Sequence, residues 1–270
     1  MPHELNMIEE AATRLLQARA QRQVTRQCSK AYPGMTVQQA YAVQLKLIEL
    51  EQAHGRSVKG RKIGLTSRAT QQTFGAHEPT HARLLDDMLF VDGIEVSPQR
   101  FISPRIEAEL AFVLARPLLG PGVGFWDVLR AMEFAMPALE IIDARMPLVD
   151  PETRGARTVV DQIADYGTCA GMVTGSCAVD PHGLDFKSVG AIVRRNGAVE
   201  ETGLSVGVMN HPFLAVAWLA NHLGAQGQQL EAGELILAGA FTRPVPILPG
   251  QTVQVDFGAL GSLSVHMLGQ

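Results

Sequence analysis

Apolar residues near the start of the chain return with a helical period. Leu5, Ile8, Ala12, Leu15 and Leu16 form one stripe, with Arg14, Gln17, Arg19 and Arg22 on the other side, which predicts an amphipathic helix. The turn-forming run from Ala31 to Met35, containing Pro33 and Gly34, ends it. Thr36 followed by Gln39 has the form of a capping box. The stripe of Ala40, Val43, Leu47 and Leu50 then predicts a second helix running to His54, with Gly55 as its C-terminal cap. Residues 1–55 read as an N-terminal helical arm whose role is packing.

After Gly55 the period shortens. Strand-type runs occupy 57–67, 93–97, 106–117, 137–145, 167–175, 191–203, 234–242, 251–258 and 261–267, separated by clusters of Gly, Pro, Asp and Asn. Asn196-Gly197 between two such runs predicts a tight hairpin. Two later stretches keep a helical period: about Trp126 to Phe134, and the segment after Pro212 with Phe213, Val216, Leu219 and Leu223. The pattern predicts an α+β fold dominated by antiparallel pairing, with residues 56–270 as one catalytic unit behind the helical arm.

Composition narrows the class. With 270 residues, 46% hydrophobic and 19% charged, the chain has an ordinary globular interior. A net charge of −4 lacks the basic footprint of a nucleic-acid binder. No apolar run approaches the ~18 residues of a membrane span, and the polar, acidic start is unlike a secretory signal, so no membrane partner and a cytoplasmic location are expected. Cys28, Cys169 and Cys177 are odd in number and unpatterned, which argues against a disulfide framework or a zinc cage.

Chemistry concentrates in a few positions. On a strand, Glu107 and Glu109 share a face about 7 Å apart. They can line a solvated outer face. The apolar continuation Phe112-Val113-Leu114 suggests instead a strand that enters the interior. There a like-charge pair repels by roughly 2 kcal/mol at an effective dielectric of about 20 and calls for a cation. Glu140 is a lone carboxylate in the apolar run 137–142, expensive to bury without a partner. Three carboxylates without clustered His or Cys favour Mg2+ or Mn2+ over zinc. Lys62 shares a strand face with Gly60 and Gly64, which either leaves room for a ligand or makes it an edge-protecting lysine. His211 reads as part of a turn before a helix.

Several segments together resemble the hydratase and decarboxylase branch of the fumarylacetoacetate hydrolase superfamily. They are Lys62–Ser67, Leu84–Met88, Pro104–Val113, Pro137–Arg145 and Asn210–Pro212. Asp150–Arg154, Glu200–Gly203 and Phe241–Pro246 are similar in particular to members that act on a heptenedioate. The likeness runs from about residue 5 to 268. It implies a mixed, rolled β-sandwich and a Mg2+ or Mn2+ held by Glu107, Glu109 and Glu140, with Lys62 as a catalytic lysine. It also implies hydration of a 2-hydroxy-2,4-dienoate or 2-oxo-4-enoate to a 4-hydroxy-2-oxo acid in meta-cleavage catabolism of aromatic compounds, by a homo-oligomer, pentamer or decamer. Two segments depart from the pattern. Where such hydratases carry an aspartate, this chain has Thr80 within Glu78-Pro79-Thr80-His81-Ala82-Arg83, and Asp165-Tyr166-Gly167-Thr168 replaces an Asp-Asn-Ala run. Threonine is no carboxylate base, so Glu78 or His81 is expected to take over, with Arg83, Thr80 and Tyr166 near the substrate. The related 4-oxalocrotonate decarboxylases also lack that aspartate, so decarboxylation is the alternative, and a non-catalytic relative is a second one.

Overall fold

The structure, a computed structural model, describes residues 2–175 and 177–269. Seven helices are formed among them: α1 (Pro2–Gln21), α2 (Cys28–Ala31), α3 (Val37–Ala53), α4 (Arg68–Phe74), α5 (Phe125–Ala131), α6 (Val159–Ala164) and α7 (Pro212–Gly224). The strands are β1 (Val58–Gly64), β2 (Thr80–Leu85), β3 (Leu89–Val91), β4 (Ile94–Val96), β5 (Arg105–Leu114), β6 (Met132–Ile142), β7 (Cys169–Thr174), β8 (Gly190–Arg195), β9 (Ala198–Leu204), β10 (Leu235–Leu237), β11 (Val245–Pro246), β12 (Thr252–Asp256) and β13 (Ser262–Met267). One sheet has the order β2-β1-β10-β5-β6-β7-β3, with β11 also on β5, and the other has the order β4-β13-β12-β8-β9. Pairing is mostly antiparallel. The exceptions, β1–β10, β3–β7 and β4–β13, make both sheets mixed.

The larger sheet is apolar on both faces because both are covered. Ile106, Leu110, Phe112, Leu139, Ile141 and Val173 pack with Val193, Val253, Val255 and Leu263 of the second sheet and with α7. That core makes the sandwich. Ala82, Leu84, Ala111, Met136, Ala138, Met172 and Leu237 face the other way and pack on Ala12 and Leu15 of α1, Val43 and Leu47 of α3, and Ile163 of α6. The apolar stripes of the N-terminal helices are therefore consumed within the chain, as a third layer over this second core.

The local signals were realised where neighbours agreed with them. Thr36 and Gln39 form the reciprocal capping box at the start of α3. Asn196 and Gly197 both take left-handed backbone angles, φ 51° and 85°, as a type I′ hairpin turn requires. His211 caps α7, its Nδ1 accepting from the Phe213 N–H at 3.0 Å. The helix predicted to reach Phe134 stops at Ala131, because Met132 already pairs with Leu114 in the β5–β6 ladder. Periodicity left α4, β2 and α6 undetected. Each is only six or seven residues long, too short to carry a period and held in place by tertiary packing.

Candidate active site

Strand register gathers the four candidate residues on one face. Alternation along β5 puts Glu107, Glu109 and Ala111 on the same side. Glu140 of β6 lies opposite Glu107. Ala111 pairs with Leu237 of β10, and Leu237 pairs with Lys62 of β1, so Lys62 projects to that side as well. All four point toward the helical layer. Carboxylate oxygens of Glu107, Glu109 and Glu140 lie within 4.8 Å of one another. Lys62 Nζ is 3.0 Å from Glu140 Oε1 and donates to the Gly167 carbonyl at 3.1 Å. Glu109 Oε2 accepts from the Gly239 N–H at 2.7 Å.

The site is short of positive charge. Glu109 and Glu140 are each 1% exposed and Lys62 4%, and Glu107 is half-buried, so one ammonium faces three carboxyl groups. At an effective dielectric of about 20, each carboxylate pair at 4.8 Å repels by roughly 3 kcal/mol. Burial, then the charge of Glu140, pushes the Glu107 carboxyl up to about 8, and the same two causes raise Glu109 well above the ordinary carboxylate range. Burial opposes the Lys62 ammonium, but the carboxylates, Glu140 foremost, outweigh it and raise its pKa. The Lys62–Glu140 contact is an ion pair by distance, yet neither Glu140 oxygen receives a hydrogen bond. Buried acceptors left open this way are costly. A hard divalent cation would satisfy them, and an all-oxygen donor set suits such an ion.

A turn supports the lysine. Tyr166, Gly167 and Thr168 all have positive φ, 53°, 60° and 65°, which aims the Gly167 carbonyl at Lys62. A Cβ on Gly167 would come within 3.2 Å of Lys62 Nζ, so a side chain there would crowd the lysine. Arg145 anchors the turn: its Nε donates to the Asp165 carboxylate, its N–H to Asp165 Oδ2 at 2.8 Å, and its Nη groups to the Asp165 carbonyl at 2.7 Å and the Cys169 carbonyl at 3.0 Å. Sequence reasoning did not single out this pair. Its members are twenty residues apart and carry no local signal.

The remaining predicted residues separate. Thr80 of β2 lies across from Gly64, and a Cβ on Gly64 would sit 3.1 Å from Thr80 Oγ1 and 3.4 Å from Lys62 Nζ. Thr80 therefore stands beside the lysine. His81 and Arg83 pair with Ile63 and Arg61 and project from the opposite face. His81 stacks on Tyr41 with ring centroids 4.8 Å apart and packs against His222. Both His81 ring nitrogens are buried without hydrogen-bond partners, and burial, aided by His222, lowers its pKa to about 3. Glu78, with its side chain 58% exposed, accepts from Trp218 Nε1 at 3.3 Å. Neither Glu78 nor His81 is brought to the carboxylate cluster. Tyr166 adjoins the site through Gly167, while its hydroxyl, buried without a partner, has a pKa raised by burial and then by Glu51 of α3.

No protein-family model matches the chain. It is 50% identical over 257 residues to the 2-oxo-hept-4-ene-1,7-dioate hydratase of Escherichia coli, covering 95% of this chain and 96% of the relative. It is 36% identical over 261 residues to the 2-hydroxyhexa-2,4-dienoate hydratase of Comamonas testosteroni, covering 96% and 97%. Its structure resembles that of 4-oxalocrotonate decarboxylase from Pseudomonas putida G7, complexed with magnesium and adipate, with a TM-score of 0.91, 30% sequence identity and coverage of 97% of this chain and 98% of that one. Full-length likeness at these identities, on a rolled mixed-sheet sandwich, places the chain in the hydratase and decarboxylase branch of the fumarylacetoacetate hydrolase superfamily.

Proposed function

We propose that this protein is a divalent-metal-dependent hydro-lyase of meta-cleavage aromatic catabolism. It adds water to a 2-hydroxy-2,4-dienoate or 2-oxo-4-enoate, the seven-carbon heptenedioate, to give a 4-hydroxy-2-oxo diacid. The observation that carries this reading is the Glu107–Glu109–Glu140 cluster, largely buried and facing Lys62, in a chain 50% identical to a heptenedioate hydratase.

Glu107, Glu109 and Glu140 would hold Mg2+ or Mn2+, which supplies Lewis acidity toward the substrate's carboxylate and C2 oxygen. Lys62, kept as an ammonium by the carboxylates, sets positive charge where the C2 oxygen becomes anionic on enolisation. Ketonisation carries a proton from that oxygen to C5 and leaves the remaining double bond conjugated with the ketone. Water then bonds to C4, and a proton reaches C3. The Thr80 hydroxyl, beside Lys62, orients water but cannot act as a carboxylate base. The Gly167 carbonyl holds the ammonium in place, and the buried walls exclude bulk water.

Threonine at position 80 also favours a second reading, decarboxylation of a vinylogous 2-oxo diacid, which needs no base to activate water. Product analysis separates the two. Mg2+-loaded protein given 2-hydroxyhepta-2,4-diene-1,7-dioate in heavy-oxygen water should form a product labelled at C4 without releasing CO2. Turnover of 4-oxalocrotonate alone, with CO2, would replace the hydratase reading by the decarboxylase one.

A homo-oligomer is part of the reading. The stripes of α1 and α3 are occupied within the chain, so contacts between copies would use exposed apolar side chains such as Val91, Leu119 and Trp126. A monomer by light scattering at micromolar concentration would refute the assembly.

A further inference from the structure

A diacid brings a second carboxylate, and Arg83, the cation expected to meet it, projects from the sheet face opposite Lys62. A different guanidinium stands open. Arg157, in the segment before α6, is 8% exposed. Its Nη1 donates to the Met146 carbonyl at 3.2 Å, its guanidinium carbon lies 5.6 Å from the Phe74 ring centroid, and its Nε is buried without a hydrogen-bond partner. Among the described residues no carboxylate lies within ion-pair distance of it. The acids that most affect its charge, Asp165 and Asp161, are already committed. Asp165 is held by Arg145, and Asp161 accepts from Ser29 and from Thr158.

Phe74 ends α4, the helix that follows Lys62's strand, so Arg157 packs on the end of that helix. Arg105 is an exposed cation at the start of β5. It shares a face of β5 with Glu107, two residues and about 7 Å away, and has no ion-pair partner among the described residues. Arg157 lies within the field of Arg105. A buried guanidinium with an open N–H and no counter-charge is costly. An arriving carboxylate would supply both the acceptor and the charge, in the two-pronged geometry that guanidinium favours.

We propose that Arg157, with Arg105 beside the carboxylate cluster, receives the distal carboxylate of the substrate and sets the preference for a diacid over an alkyl-tailed acid. The inference rests on the hydro-lyase reading and adds the tail subsite to it.

Arg157→Met, Arg157→Lys and the parent protein, all Mg2+-loaded, should be compared on 2-hydroxyhepta-2,4-diene-1,7-dioate and 2-hydroxyhexa-2,4-dienoate. Arg157→Met should lower kcat/KM for the diacid roughly 10- to 100-fold, chiefly through KM, and leave the alkyl-tailed substrate unchanged, with Arg157→Lys in between. Equal losses on both substrates, or no loss on the diacid, would overturn the assignment. If the parent turns over neither substrate, the hydro-lyase reading fails, and calorimetry with glutarate and butyrate still decides the subsite. Weakening by Arg157→Met confined to glutarate supports it, and equal binding to parent and variant removes it.

Discussion

Glu107 and Glu140 stand directly opposite each other across the β5–β6 ladder. Like charges placed this way destabilise a strand pair, and this pair, a half-buried Glu107 against a buried Glu140, shares a 4.8 Å cluster with Glu109. The arrangement costs folding stability, which on the proposed reading a divalent cation at the site would restore.

Replacing any one of the three glutamates by Gln should therefore weaken Mg2+ binding by more than about 100-fold. Titration calorimetry on chelator-stripped protein measures this. Unchanged affinity in all three variants would show that the cluster is not the metal site.

If these carboxyls hold the metal, their raised pKa values would make its binding proton-coupled. With Glu107 near 8 and Glu109 also raised, the metal-free carboxyls hold protons that Mg2+ must displace. Affinity should climb as pH rises toward about 8, and the binding heat should vary with the buffer's ionisation enthalpy. Without metal the sign for stability is reversed: a Glu with a raised folded pKa binds protons more tightly when folded, so metal-free protein should lose stability as pH rises from about 4.5 to 8.

Arg145 and Asp165 are a buried pair, 4% and 0% exposed in their side chains. Removing the cation by Arg145→Ala leaves Asp165 uncompensated and should cost about 3–5 kcal/mol in urea unfolding. Because the same pair fixes the turn that holds Lys62, residual folded variant should also show a reduced kcat.

His81 should be dispensable for turnover, since it projects away from Lys62. His81→Phe keeps the stack on Tyr41, and kcat should stay at the parent value. A large loss would restore His81 to the site. Its folded pKa of about 3 against an unfolded value near 6.5 means that the unfolded chain takes up the proton first. The parent should lose up to roughly 1.4 kcal/mol per pH unit below about 6.5, a slope that His81→Phe removes.

What the sequence determined by itself was local and periodic. Alternation put Glu107 and Glu109 on one face, the lone Glu140 stood out in its apolar run, the glycines beside Lys62 left a close approach and an edge-protecting lysine both open, and the capping box and Asn-Gly turn fixed an element boundary and a hairpin. Resemblance of whole segments then carried the superfamily and its fold. Only the tertiary structure decided which carboxylates and cations share a face. Thr80 joins Lys62, and His81 and Arg83 leave it, because Thr80 pairs with Gly64. A one-residue slip in that register would reverse all three, and nothing within 78–83 specifies it. Arg145 meets Asp165, and Arg157 meets Phe74, across sequence separations that no period spans. Propensity and periodicity act within a few residues, whereas burial and charge pairing belong to the assembled sheet and the helices that cover it.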